Sequence, residues 1–312
     1  MDLHRPSGNR SLGFSLAALT MLLWGVLPLA LKVVLDSLDA VTITWFRFGA
    51  SSLLLGAWLA WRGRLPRLGG LAATGRVLLV VATLGLAVNY LTYLVGLDLT
   101  SAANAQVLIQ LAPLLLALGG LIVFRERFTP FQWLGFAILV AGLGIFFAGQ
   151  LLALARDLDR YLRGVALLVL AAVTWAVYGL AQKQLLHSLS SQAVMLCIYV
   201  GCFLCFSAGA KPAALGALDG AALAALLFCA VNTLLAYGAF AAALEHWEAS
   251  RVSAVLSLTP LATLSYAWLG GIWLPDWVQA ESVSPWSLSG AFAVVGGSLL
   301  ISLSGAPRSL DP

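Results

Sequence analysis

Ten stretches of about 20 mostly apolar residues follow one another along the chain, near 13–33, 39–61, 76–97, 101–123, 130–149, 163–185, 190–208, 219–244, 250–272 and 286–304. Each is long enough to cross the hydrocarbon core of a bilayer as a helix. In lipid a helix satisfies all its backbone polar groups within its own segment, so runs of this length point to a bundle of spanning helices. The connections are too short to fold separately. The composition agrees, with 61% hydrophobic and only 10% charged residues and a mean hydropathy of +0.96, against about a quarter charged in soluble chains. The expected class is an all-α polytopic membrane protein. The first run is longer than a signal-peptide core and lacks a small-residue cleavage site, so it is expected to remain as the first span.

Loop charges give the expected orientation. With the N-terminus cytoplasmic, eleven loop Lys and Arg residues fall inside and five outside, so both termini are expected in the cytoplasm of a bacterial inner-membrane protein. The formal charge of +4 reads as topology, and no nucleic-acid partner is expected. Cys197, Cys202, Cys205 and Cys229 show no metal-ligand spacing and read as small buried hydrophobes.

The chain also repeats itself. "LLWGVLPLALK" at 22–32 is echoed by "VTWAVYGLAQK" at 173–183, aligning Trp24 with Trp175, Pro28 with Gly179 and Lys32 with Lys183. At an offset of 147, Tyr90 meets Tyr237 and "VLIQLAP" (107–113) meets "AVLSLTP" (254–260). At 155, Gly135 and Gly142 meet Gly290 and Gly297. The offset changes only at loops, as a duplicated unit requires. The halves are expected at 1–155 and 156–312. Each holds five spans, an odd number, so the second half enters the membrane from the opposite side. Such inverted repeats recur in secondary transporters, whose substrate site lies near mid-membrane between the halves.

Ten spans in two five-helix repeats, a Trp-small pair near the start of each, "QLAP" and "SLTP" in each fourth span, and "FRERFTPFQWLGFAILVAGLGIF" at 124–146 with Glu126 together resemble the EamA family of drug/metabolite transporters. Within it the chain is most similar to the aromatic amino acid exporter type. The resemblance implies a basket of helices around a central cavity, with the fifth and tenth spans as scaffold. Gly135, Gly142, Gly290 and Gly297 suit that scaffold, because small residues let helices approach closely.

Several residues are candidates for the cavity wall. Gln106, Gln110 and Pro113 share one helical face, and Ser253, Ser257 and Pro260 make the matching stripe in the ninth span. Each Pro frees a backbone carbonyl one turn earlier, able to meet an ammonium group or to tune a bend; packing alone is the alternative. Trp175, Tyr178 and Gln182 line one face of the sixth span, and Asn89, Tyr90 and Tyr93 lie together in the third, with Asn232 and Tyr237 in the eighth. Trp and Tyr present flat apolar faces with one polar atom each, a lining suited to a planar or amphipathic substrate. Trp24 and Trp175 sit about ten residues into their spans. That is too deep for the interfacial belt that Trp45, Trp58, Trp61, Trp133, Trp273, Trp277 and Trp286 fit. Arg47 is the one clear charge well inside a span. It either meets a substrate carboxylate, caps carbonyls or snorkels outward. Pro28, Pro113, Gly179, Pro260 and Lys183 are candidate hinge or gate positions, with a topology role equally open for Lys183.

Absences narrow the classes. No Asp or Glu lies near the centre of any span, which argues against direct proton coupling and against a site for quaternary amines. No phosphate loop, HExxH or GxSxG motif occurs, so neither an enzyme nor a cofactor is expected. A sugar-phosphate or nucleotide-sugar cargo would want two or more buried cations. The expected function is export of aromatic and other neutral amino acids by alternating access. The expected partners are that small molecule and the bilayer, with the chain a monomer and a dimer left open.

Overall fold

The computed structural model describes residues 9–124, 129–153, 158–247, 249–273 and 284–303. Glu126, Trp277 and the expected boundary at 155/156 lie outside them. The described residues form α1 (Arg10–Leu35), α2 (Ala40–Trp61), α3 (Ala73–Leu99), α4 (Ala102–Leu108), α5 (Leu111–Phe124), α6 (Pro130–Ala153), α7 (Leu158–Leu185), α8 (Ser191–Ser207), α9 (Gly220–His246), α10 (Ala249–Leu256), α11 (Thr259–Trp273) and α12 (Pro285–Leu303). There is no strand among them. Five of these helices, α1, α2, α3, α7 and α9, are individually long and apolar enough to cross a membrane.

Helix ends follow local chemistry. Asn9, Asp39, Ser101, Ser190 and Asp219 each accept a backbone N–H of the first turn of the helix they precede, which satisfies donors a helix start leaves open. At the end of α2 the chain turns through Gly63, at φ +64°. Arg64 N–H bonds the Leu59 carbonyl and Gly63 N–H bonds that of Ala60, a closure that favours Gly at the left-handed residue.

The fourth and ninth spans, read as single helices from their apolar pattern, are each two helices. α4 stops at Leu108 and α5 starts at Leu111; α10 stops at Leu256 and α11 starts at Thr259. The cause is Pro113 in the first turn of α5 and Pro260 in the first turn of α11. Proline has no N–H to continue the ladder, and it fits a helix start.

The heaviest packing joins the first half of the chain to the second: α6 on α12, α3 on α7, α1 on α9 and α2 on α8. Neither half therefore has a core of its own. On α6 and α12, a Cβ on Gly135 would lie 2.7 Å from the Gly297 carbonyl, and one on Gly290 would lie 2.8 Å from the Gly142 carbonyl. The pairing is reciprocal, backbone against backbone. The other contacts also recur at positions related by the sequence offsets. Asn89 Nδ2 donates to the Ala171 carbonyl (2.8 Å), and at the related positions Thr20 Oγ1 donates to the Ala236 carbonyl (3.3 Å). Gly164 lies against Thr100, and Gly13 against Trp247.

Outward surfaces are apolar, with Leu53, Leu204 and Val77 more than half exposed, as expected of side chains that meet lipid. Trp58, Trp61, Trp133, Trp273 and Trp286 are exposed near helix ends. Trp45 instead stacks on Phe203 and donates Nε1 to Ser207.

Candidate substrate cavity

A cavity lies on the seam between the halves. Its volume is about 90 Å3, room for several waters. It is lined by Trp24, Leu27 and Leu31 of α1, Arg47 of α2, Asn89, Tyr90, Tyr93 and Leu94 of α3, Gln106 of α4, Ile109, Gln110, Ala112 and Pro113 around the α4–α5 break, Trp175 of α7, Tyr237 of α9, and Leu256 and Thr259 around the α10–α11 break. Of the sequence-predicted residues, Trp24, Arg47, Asn89, Tyr90, Tyr93, Gln106, Gln110, Pro113, Trp175 and Tyr237 therefore meet at one place.

The aromatic wall is continuous. Trp24 contacts Trp175 (6.0 Å between centroids), Tyr237 (5.0 Å) and Phe240 (5.5 Å), while Tyr90 meets Tyr237 at 5.5 Å and Phe48 at 4.4 Å. Trp24 Nε1, the Tyr90 hydroxyl and Gln110 Oε1 have no hydrogen-bond partner among the described residues. Buried polar atoms normally have one, so a ligand or water is the natural complement.

Arg47 is 1% exposed. Its Nε donates to Thr233 Oγ1 at 2.9 Å, and its Cζ stands 4.6 Å from the Tyr90 ring centroid. The Thr233 hydroxyl in turn donates a hydrogen bond to the Cys229 carbonyl. Thus Arg47 neither snorkels nor caps carbonyls. No carboxylate pairs with it among the described residues, where the ion pairs are Arg163–Asp159 and Lys211–Asp39.

The carbonyls freed by proline are already engaged. Pro28 leaves the Trp24 carbonyl without an intrahelical donor, and Gln106 Nε2 supplies one at 2.9 Å. Asn232 Nδ2 and Thr263 Oγ1 hold the flanking carbonyls of Leu23 and Gly25. The carbonyl at Ile109, one turn before Pro113, takes Ala112 N–H at 2.8 Å, and that at Leu256 takes Thr259 Oγ1. Each of these carbonyls thus already accepts one hydrogen bond within the protein.

Other candidates fall elsewhere. Tyr178 is fully buried, its hydroxyl 3.6 Å from Met195 Sδ. Ser257 is fully buried in the α10–α11 turn and does not line the cavity. Pro28, Gly179, Pro260 and Lys183 also lie off the lining; Gly179 packs on Leu116, and Lys183 sits in the last turn of α7. Sequence reading missed Thr233, Phe240 and the bond from Gln106 to the Trp24 carbonyl. The signal for Gln106 was available: Pro28 frees a buried carbonyl that needs a donor at the same depth.

The cavity is also lopsided. Tyr93 and Leu94 line it, but their counterparts Phe240 and Ala241 do not; Leu27 and Leu31 line it, but Tyr178 and Gln182 do not. Phe240 closes this end by packing 5.5 Å from Trp24 and 5.3 Å from Trp175. The space thus extends only toward the C-terminal ends of α1 and α3. α10 packs against α12, while the related pair, α4 and α6, makes no comparable contact.

The model of the EamA-like transporter family matches residues 11–148 and again residues 162–303. The chain belongs to this family. Among its relatives, an uncharacterized inner membrane transporter of Escherichia coli K12, YhbE, is 37% identical over 92% of this chain and 90% of its own length. An uncharacterized transporter of Haemophilus influenzae is 36% identical over 93% and 94%. A solved crystal structure shares the fold at a TM-score of 0.66 with 20% identity, covering 97% of this chain and all of its own. The chain is accordingly an all-α polytopic membrane protein of a transporter family.

Proposed function

We propose that this EamA-family chain is an inner-membrane exporter of aromatic and other neutral amino acids. In this reading it works by alternating access between two inverted repeats, with both termini cytoplasmic and no bound cofactor. The observation that carries it is the seam cavity, where aromatic faces from both halves surround one buried, carboxylate-free arginine. The cargo's ring stacks between Trp24, Trp175, Tyr90 and Tyr237, and its carboxylate faces Arg47. The lopsided cavity is one of two mirror-related states. In the other, α4 and α10 exchange environments and the end sealed by Phe240 opens. The breaks before Pro113 and Pro260 allow that movement, because few backbone bonds cross them. The pairs built alike at both ends, α1 with α9 and α3 with α7, stay together.

Proteoliposomes of the purified protein, preloaded with tryptophan, phenylalanine or threonine, test this. The expected result is aromatic efflux that ignores an imposed pH gradient and falls at least tenfold in Trp24→Ala and Trp175→Ala. Unchanged efflux in both variants removes the lining assignment. Efflux that requires the gradient removes the carboxylate-free mechanism.

A further inference from the structure

An amino acid carries two charges, and the cavity offers a fixed charge to only one of them. Among the described residues, Arg47 is its single ionised lining group and no Asp or Glu lines it. Without a carboxylate, an ammonium group here would rest on neutral acceptors alone. The carbonyls exposed by Pro28, Pro113 and Pro260 each already accept one bond, from Gln106 Nε2, Ala112 N–H and Thr259 Oγ1. Asn89 donates Nδ2 to the Ala171 carbonyl and keeps Oδ1 as one more neutral acceptor. Among the described lining residues, the fully buried acceptor left without a partner that is not also a donor is the neutral Gln110 Oε1. For a carboxylate the position is reversed. The guanidinium is desolvated, held in place by Thr233 and the Tyr90 face, and its Nη nitrogens donate to no protein group among the described residues. Trp24 Nε1 stands as a second unpaired donor. A buried guanidinium and a carboxylate form charge-assisted, often bidentate bonds, whereas an ammonium ion near Arg47 is repelled in a low-dielectric site.

Resting on the reading that the seam cavity is the transport site, we propose that it recognises a carboxylate joined to an aromatic or bulky apolar body and makes no demand for an amino group. Arylalkanoic acids and aromatic 2-oxo acids are then ligands of this site in their own right. The α-amino group of an amino acid is tolerated, at Gln110, and adds no affinity. Selectivity comes from the sign of the charge, and amines lacking a carboxylate are excluded.

Titration calorimetry on the full-length protein in detergent tests this with one ring and four tails: 3-phenylpropionate, phenylalanine, phenethylamine and 3-phenylpropanol. The expected order places 3-phenylpropionate at least as tight as phenylalanine and phenethylamine at least tenfold weaker. Arg47→Gln is expected to weaken 3-phenylpropionate at least tenfold and to leave 3-phenylpropanol within about twofold. The ligand series on the unaltered protein decides the matter even if that variant does not fold. Tight phenethylamine binding, or 3-phenylpropionate tenfold weaker than phenylalanine, overturns the proposal, as does the absence of 3-phenylpropionate binding. Phenylalanine efflux without 3-phenylpropionate binding removes this inference and leaves the exporter reading standing. The converse pattern upholds the inference and removes amino acids as the cargo.

Discussion

Replacing Gln106 by Met keeps the shape of the side chain and deletes the donor that Trp24's carbonyl receives across 2.9 Å. Interhelical hydrogen bonds in membranes average only about 0.6 kcal/mol, with a maximum near 1.7, because separated helices find other partners. Here the separated helix has none to offer, since Pro28 removes the N–H that would otherwise serve this carbonyl. Gln106 is 4% exposed, so bulk water does not replace the bond in the fold. The cost should therefore lie at the upper end, about 1.5 kcal/mol, or roughly tenfold in the unfolding constant. Pro28→Ala restores the intrahelical N–H. In that background Gln106→Met should cost about 0.5 kcal/mol or less, giving a coupling energy near 1 kcal/mol. Denaturant titration of the four proteins in mixed micelles, followed by helical circular dichroism, measures it. Equal costs in the two backgrounds would refute the reasoning, because Gln106 would then stabilise the fold by some route other than the proline-freed carbonyl.

Further expectations concern the scaffold and one helix cap. A Cβ on Gly290 would lie 2.5 Å from Phe146 N, and one on Gly297 would lie 2.5 Å from Leu139 N. Backbone cannot yield there, so either Gly→Ala change should lower the thermal midpoint in detergent by several degrees. Gly144 and Gly296 have nothing within 4 Å, so Ala there should be neutral or stabilising by up to about 1 kcal/mol. For Asp39, partial burial raises the carboxyl's pKa, but hydrogen bonds from Thr42 N–H and Oγ1 together with the Lys211 ammonium outweigh it and hold the value below the ordinary 3.8. A depressed folded value means that the cap's contribution is complete above 3.8 and lost as pH falls through the folded value. Asp39→Asn should flatten the stability profile in that acid window, while Asp39→Ala should cost about 0.5–2 kcal/mol at neutral pH.

The spans and the duplication were legible because a bilayer imposes length and a repeat imposes register. The convergence of Trp24, Tyr90, Trp175 and Tyr237 followed from their matched positions, and the close approach of Gly135 and Gly142 to Gly297 and Gly290 from residue size. The breaks in the fourth and ninth spans were not legible from apolar pattern, since hydropathy runs straight through Ile109–Gln110 and Ser257–Leu258. Only Pro113 and Pro260 mark them, and proline also occurs in unbroken α1. Tyr178 and Ser257 share faces with cavity residues, yet they sit at the sealed end. Sequence periodicity places a residue on a face of its helix and carries no information about which end of a two-state structure is closed. The engagement of Arg47 with Thr233 across 186 positions left no local signal at all.

The most direct test of alternating access uses the pair Tyr93 and Phe240, related by the repeat but placed on the cavity wall and in the seal respectively. In a background without native cysteines, Tyr93→Cys and Phe240→Cys are each probed in proteoliposomes with a membrane-impermeant maleimide from either side. At rest, position 93 should react from the side of the α1 C-terminus and position 240 should be protected. During tryptophan exchange, position 240 should become reactive from the opposite side while labelling at 93 falls. Simultaneous reaction of both positions from one side, or lasting protection of 240 during exchange, would contradict the account.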